Sequence, residues 1–265
     1  MGLKIDKASI ERYQDDGFLH LPSFLDANNV ANLKSAVLDA VGNLGRTKIA
    51  GGDSDWEEGD AYYDRVFTQR LNLWRVSSRV RDYILDAKLG EALSGLSGVD
   101  RFRVWHDQAL IKEPNANPTA WHLDVPYWSF CSRHAISIWI ALEDTTLSNG
   151  CLYFLPGSHK IARYDNVKLD DNFGSLFDVY PEMRDLEPVA VPMKAGDCSF
   201  HNGLTAHCAG PNVSRGRRIG MTCAYMPDGS TFNGQKNILP QSYFDGLAEG
   251  DILNDETLNP LVYST

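Results

Sequence analysis

The chain has 265 residues, a formal net charge of −10 at pH 7 and 43% hydrophobic residues. That length can bury a sizeable core as one domain, and the acidic balance excludes the basic footprint of a nucleic-acid-binding protein and disfavours a highly anionic coenzyme A ester. Its five cysteines contain no Cys-x-x-Cys pair, which fits reduced thiols in a cytoplasmic protein rather than a disulfide framework, and no membrane span, leader or lipidation signal is expected.

Residues 6–16 read as a helix stopped at Gly17, and Phe18–Leu21 as a short strand ending at Pro22. Asp26 caps a second helix whose Val30, Leu33, Val37, Val41 and Leu44 fall on one face. Residues 46–61 are polar and rich in Gly and Asp, and read as a mobile loop or lid in which Trp56 closes over a ligand. Residues 62–95 read as helices, with Trp74 packing between them. From about 101 to 226 the pattern changes to short strands and turns, matching a double-stranded β-helix (a jelly-roll, cupin-like core). The expected fold is therefore mainly β with helical additions: one domain over 1–265, a helical part at 1–100 and a core at 101–226. An acidic, aromatic insertion at 161–187 (Asp165, Asp170, Asp171, Phe173, Phe177, Tyr180) is expected to cover the mouth of the barrel. Residues 227–265 read as an extension packed on the domain or on a second subunit; the oligomeric state is not legible.

The chemistry concentrates in a few residues. Thr119–Trp128 reads as a strand limited by Pro126, and in a strand His122 and Asp124 point to one face, about 6–7 Å apart along the chain. Gly196-Asp197 opens a second strand containing His201 and His207, a loop follows at Cys208–Asn212, and Arg218 leads into the apolar run Ile219–Met226. Antiparallel pairing of those two strands would bring His207 close to Arg218. Two histidines and one carboxylate with open positions are the ligand set of a non-haem Fe(II) oxygenase. Spacing alone does not choose between His201 and His207 as the second histidine, because both face the same way in an unbroken strand and Gly203 allows a bulge. Arg215 and Arg217 read as solvated. Arg218 reads as pointing inward, where a guanidinium needs a partner that a dicarboxylate cosubstrate such as 2-oxoglutarate would supply. Tyr127 and Trp128, just past Asp124, are candidates for the wall of the substrate site. The competing reading of His-x-Asp…His is a cupin-like Zn(II) protein, binding or hydrolytic.

The chain resembles the phytanoyl-CoA dioxygenase superfamily of Fe(II)/2-oxoglutarate oxygenases. The resemblance rests on Tyr13–Leu19, His122-Leu123-Asp124, Ile138–Asp144, the Asn149-Gly150-Cys151-Leu152…Pro156-Gly157-Ser158-His159 stretch, and His207 through Arg218. It implies that His122, Asp124 and His207 bind Fe(II), that Arg218 anchors 2-oxoglutarate, and that His201 stays outside the set. It also implies that Trp139 lines the cosubstrate pocket, that Gln108 faces cosubstrate or substrate, and that Asn72 lies near the mouth as a substrate contact. Ala209 stands where many relatives have a small hydroxyl residue, so either Thr205 or a water is expected to serve the cosubstrate carboxylate, or the carboxylate relies more heavily on Arg218. The presence of Asp124 implies an oxygenase rather than a halogenase. The implied activity is an Fe(II)-dependent dioxygenase that consumes 2-oxoglutarate and O2, releases succinate and CO2 and hydroxylates an unactivated C–H of a small molecule, with desaturation, epimerisation or cyclisation as alternative outcomes. The acidic balance and aromatic flank lean toward a small cationic or amphipathic substrate.

Overall fold

A computed structural model describes residues 3, 5–51, 63–167 and 172–262. Helix α1 (Lys7–Asp16) begins where Asp6 accepts the Ser9 N–H at 2.8 Å, and it ends at Gly17, whose φ of 81° is the left-handed conformation that glycine adopts without strain. Strand β1 (Phe18–Leu21) follows with the expected bounds. Helix α2 (Ala27–Leu44) starts from the Asp26 cap and buries Val30, Leu33, Ala36, Val37 and Ala40, the three-to-four spacing of a single helix face. A bridge from Ile49 to Leu71 ties residues 46–51 to the fold. The rest of the expected lid, Trp56 included, lies outside the described residues.

The 62–95 stretch is not wholly helical. It holds α3 (Tyr63–Val66), β2 (Thr68–Leu71), a 3-10 turn at Leu73–Arg75, α4 (Ser78–Ile84) and α5 (Ala87–Ser97). Strand β2 forms because it pairs antiparallel with β3 (Phe102–Lys112), Thr68 against Ile111 and Leu71 against Gln108. Pairing with a long neighbour decides what local pattern does not. Asp107, fully buried on β3, anchors the turn after β2: its carboxylate oxygens accept the Leu73 and Trp74 N–H groups at 3.0 Å each.

The core region adds β4 (Thr119–His122), β5 (Ile136–Ala141), β6 (Leu152–Phe154), α6 (Ser158–Ile161), α7 (Leu176–Val179), β7 (Val189–Val191), β8 (Cys198–Asn202), β9 (His207–Ala209) and β10 (Arg218–Pro227). The extension carries α8 (Gln241–Phe244) and β11 (Leu261–Val262). The strands form two antiparallel sheets, one ordered β1-β8-β5-β10-β3-β11 with β2 also on β3, the other β4-β9-β6-β7. The molecule is thus mostly β with helices added. No helix among the described residues is long and apolar enough to cross a membrane.

Alternation along the strands sorts the large sheet into two faces. Ile136, Ile138, Ile140, Phe200, Ile219, Met221 and Tyr225 join one buried cluster with Leu33 and Val37 of α2 and Leu93 of α5. The alternate residues Ser137, Trp139, His201, Arg218, Thr222 and Ala224 face a cavity that the small sheet closes. The register between β10 and β3 shifts between Ala224 and Tyr225, leaving Trp105 as the extra residue of a bulge. His106, Gln108 and Leu110 face the cavity by ordinary alternation, and the bulge returns Val104 to the helix side that Ala109 also faces.

The insertion does not line this cavity among its described residues. It packs on β4 instead, where the Trp121 ring meets Phe173 and Phe177 at centroid distances of 6.3 and 6.0 Å. Asp170 and Asp171 lie outside the described residues. The extension packs on the domain: β11 pairs with β3, and Arg103 bonds Asp228 and Glu256 at 2.6 and 2.7 Å.

Candidate active site

His122 ends β4 and His207 opens β9, and the two are register partners across that strand pair, with ring centroids 4.2 Å apart. Asp124 reaches them differently from the expectation. Strand β4 stops at His122, and Asp124 has helical angles (φ −81°, ψ −51°) as it starts a 3-10 turn at Val125–Tyr127 with Pro126 inside. A turn, not strand alternation, converges the pair. The Gly203 carbonyl holds that turn by accepting the Asp124 and Val125 N–H groups at 2.9 and 3.0 Å.

Asp124 Oδ1 lies 3.6 Å from His122 Nε2 and 3.7 Å from His207 Nε2. Two atoms each bound at about 2.1 Å to one ion stand at most about 4.2 Å apart, a limit both of these distances meet, and the three ligand atoms all lie within 4.8 Å of one another. Each imidazole gives its other nitrogen to a backbone carbonyl: His122 Nδ1 donates to Ala120 at 2.8 Å and His207 Nδ1 to Thr205 at 3.0 Å. A carbonyl only accepts, so each Nε2 keeps its lone pair for the centre. Burial pushes both imidazoles down to about 4, keeping them neutral. Burial opposes ionisation of Asp124 too, but the imidazoles of His207, His201 and His122 outweigh it and hold the carboxyl below its usual range.

His201 takes a separate place. Its Nε2 and the Ser137 hydroxyl each lie 3.3 Å from Asp124 Oδ2, the oxygen turned away from the histidine pair. His201 and Ser137 are register partners on β8 and β5, so one rung of the large sheet orients the carboxylate.

Arg218 opens β10 and is 2% exposed. It and His207 are not antiparallel neighbours, as the sequence suggested: they sit on different sheets and meet across the cavity both line. Its guanidinium lies 5.2 Å over the Trp139 ring, one nitrogen donates to the Leu110 carbonyl at 3.3 Å, and Nε is buried without a partner. No carboxylate among the described residues forms an ion pair with it, since nearby Glu143 binds Lys34 at 2.6 Å and the Ile219 N–H at 3.1 Å. Burial lowers the guanidinium to about 10. Gly220 permits this arrangement: a Cβ there would stand 2.1 Å from the Trp139 ring.

The cavity measures about 220 Å³. Gln108, Trp139, Tyr127 and Trp128 line it alongside the triad and Arg218. Gln108 accepts from the Gln69 amide at 2.5 Å. Two expectations fail. The Thr205 hydroxyl donates to the Gly17 carbonyl at 2.8 Å and does not reach the cavity, so it does not serve a cosubstrate carboxylate. Asn72 is buried beneath the wall with a left-handed φ of 57°, where it leads into the 3-10 turn and touches no cavity space. Sequence reasoning missed Gln69, hidden in a stretch read as helix, His106, which strand alternation from Gln108 would have found, and Asn237, which lies in a long irregular segment.

The model of the phytanoyl-CoA dioxygenase (PhyH) family matches residues 13–220. Methylphosphonate hydroxylase of Gimesia maris is 25% identical over 85% of this chain and 82% of its own length. The dioxygenase lolE1 of Epichloe uncinata is 29% identical over 85% and 84%. Among solved structures, the non-haem, 2-oxoglutarate-dependent carbocyclase SnoK from nogalamycin biosynthesis superposes with a TM-score of 0.80 at 28% identity, covering 98% of this chain and 97% of that one.

Proposed function

The chain belongs to the phytanoyl-CoA dioxygenase family, and from that premise we propose that it hydroxylates an unactivated C–H of a small molecule at the centre formed by His122, Asp124 and His207. It is a non-haem iron, 2-oxoglutarate-dependent dioxygenase. We read its two sheets as the double-stranded β-helix of one domain.

Bound together, Fe(II), 2-oxoglutarate and O2 supply an oxidant strong enough to take hydrogen from carbon, with succinate and CO2 released. The residues present suit that load. His122 and His207 offer Nε2 lone pairs, and Asp124 offers Oδ1 while His201 and Ser137 hold its other oxygen. The observation that carries the cosubstrate assignment is Arg218, a buried guanidinium that lines the same cavity and has no carboxylate partner among the described residues. A buried cation without a counter-ion is costly, and a bidentate carboxylate removes the cost. Trp139 backs the guanidinium and fixes its plane. Gln108, held by Gln69, stands on the strand between Arg218 and the centre, where it orients what binds there. Tyr127 and Trp128 close the turn that Asp124 starts, and they wall the centre from water.

A Zn(II) hydrolase would leave Arg218 without a purpose. The test is binding: Arg218→Ala should weaken 2-oxoglutarate about 100-fold, the scale of a lost buried charge pair, while metal affinity stays near wild type. Unchanged 2-oxoglutarate affinity in that variant would remove the anchor from the account. The 28% identity to a carbocyclase keeps ring closure as a second outcome of the same machinery. Product mass with labelled oxygen separates the two, because hydroxylation incorporates an oxygen atom and ring closure removes two hydrogens.

A further inference from the structure

Two basic side chains meet at the anchor end of the cavity. Arg218 and Lys112 are register partners on β10 and β3, and partners across an antiparallel pair project to one face with Cβ atoms about 4.5–5.5 Å apart. Alternation agrees: Gln108, Leu110 and Lys112 are successive same-face residues of β3, and the first two line the cavity with Arg218. Lys112 stands just behind that wall. It is wholly buried, and its stem runs past Gly150, where a Cβ would stand 2.8 Å from Lys112 Cδ. The Phe67 ring, part of the cavity wall, lies 6.0 Å from Nζ.

The hydrogen bonds of Lys112 match an uncharged amine. Nζ donates to the Val66 carbonyl at 3.3 Å and to the Asn117 carbonyl at 2.5 Å, and among the described residues neither a third acceptor nor a carboxylate bonds it. A neutral amine has two N–H groups, which these carbonyls satisfy; an ammonium has three. Like charges directly opposite in a sheet repel, so the neighbouring guanidinium disfavours that third proton further. Burial first, and then the Arg218 charge, push the Lys112 ammonium down to about 7. The other elements packed here bring no anion against it. The Cys208 thiol of β9 and the Cys151 thiol ahead of β6 are pushed up by burial and stay neutral. Arg65 of α3 and Glu113 of the loop after β3 are exposed, and Glu143 is bonded to Lys34 and the Ile219 N–H.

We propose that Lys112 takes up a proton from solvent when the distal carboxylate of 2-oxoglutarate docks on Arg218, so that cosubstrate affinity falls as pH rises. This rests on the 2-oxoglutarate reading of the site. The incoming carboxylate offsets the guanidinium charge that Lys112 faces and adds an attraction of its own, which raises the affinity of Lys112 for a proton. The bound protein therefore holds more protons than the free one. By linkage, binding is tightest below about pH 7, where the free protein already carries the proton, and weakens above it. Lys112 acts on the ligand through the field at Arg218 rather than by contact. The second positive charge is present only while the anion is, so the empty site does not bury two unpaired cations.

The experiment titrates anaerobic, Fe(II)-loaded protein with 2-oxoglutarate at pH 6.5 and pH 8.5, followed by the visible charge-transfer band. The ligand is a dianion throughout, since carboxyl groups of its kind titrate below about pH 5. Wild type should bind about tenfold more weakly at pH 8.5. Calorimetry at pH 7.5 in HEPES and in Tris, buffers with different heats of ionisation, should count an uptake of more than about half a proton per 2-oxoglutarate bound. Lys112→Gln keeps two N–H donors for the two carbonyls, and Lys112→Met keeps the volume. Each should bind more weakly than wild type at pH 6.5, with an affinity that no longer depends on pH and with no proton uptake. Equal wild-type affinity at the two pH values without proton uptake, a result that needs no variant, would overturn the inference. So would a wild-type pH profile in either variant. Wild type that forms no band at either pH contradicts the cosubstrate reading itself, whereas a band without proton uptake contradicts the inference alone.

Discussion

At the scale of single residues, the site works by depriving polar groups of ordinary partners. His106, His122 and His207 are each pushed by burial from 6.5 to about 4. The folded, metal-free protein therefore binds fewer protons than the unfolded chain between those values. This contribution to stability is fully present above about pH 6.5 and is lost as pH falls through about 4, at roughly 1.4 kcal/mol per pKa unit and group. Asp107, raised by burial from 3.8 to about 7, acts in the opposite sense across the whole of that range, one group against three. The melting temperature of the metal-free protein should fall from pH 7 to pH 4.5, and less steeply in His106→Gln; a flat profile would mean these imidazoles are not buried neutral. His122, Asp124 and Arg218 were legible because their chemistry needs particular residue types. His106 was not singled out, although it follows from Gln108 by plain strand alternation. Thr205 was misread because its competing acceptor, the Gly17 carbonyl, is distant in sequence.

At the scale of elements, the caps and stripes of α1 and α2 and the bounds of β1 were visible in the chain, because Asp6, Asp26 and Gly17 are local signals. Strand β2 was not, because only its partner β3 makes it a strand. The turn that delivers Asp124 was half visible: Pro126 marked the end of β4, but the convergence comes from helical angles at Asp124 and from the Gly203 carbonyl. The approach of β10 to β5 depends on Gly220, where a methyl group would collide with the Trp139 ring at 2.1 Å. Gly220→Ala should cost about 1–3 kcal/mol of stability by overpacking, and it should weaken 2-oxoglutarate binding by displacing the indole beneath Arg218. Chemical denaturation and cosubstrate titration check the two halves, and unchanged values in both would show that the contact is slack.

At the scale of the whole molecule, the large sheet separates two environments. Its helix-facing side is an apolar core shared with α2 and α5, and its other side holds the polar residues that face the small sheet. The change from helical to strand patterning near residue 101 announced this division, whereas the pairing of strands into two sheets arises from contacts distant in sequence. The triad spans the opening between the sheets: His122 and His207 come from the small sheet, and the carboxylate of Asp124 is steadied by His201 and Ser137 of the large one. The account's central claim is that this junction is the iron centre and that His201 supports it without binding metal. The most direct measurement is anaerobic addition of Fe(II) and then 2-oxoglutarate to the metal-free protein, followed through the visible charge-transfer band of the chelate. The account predicts a band in wild type and in His201→Ala, and none in His122→Ala or His207→Ala. A band that survives in His207→Ala and disappears in His201→Ala, or tight metal binding with no band in wild type, would contradict it.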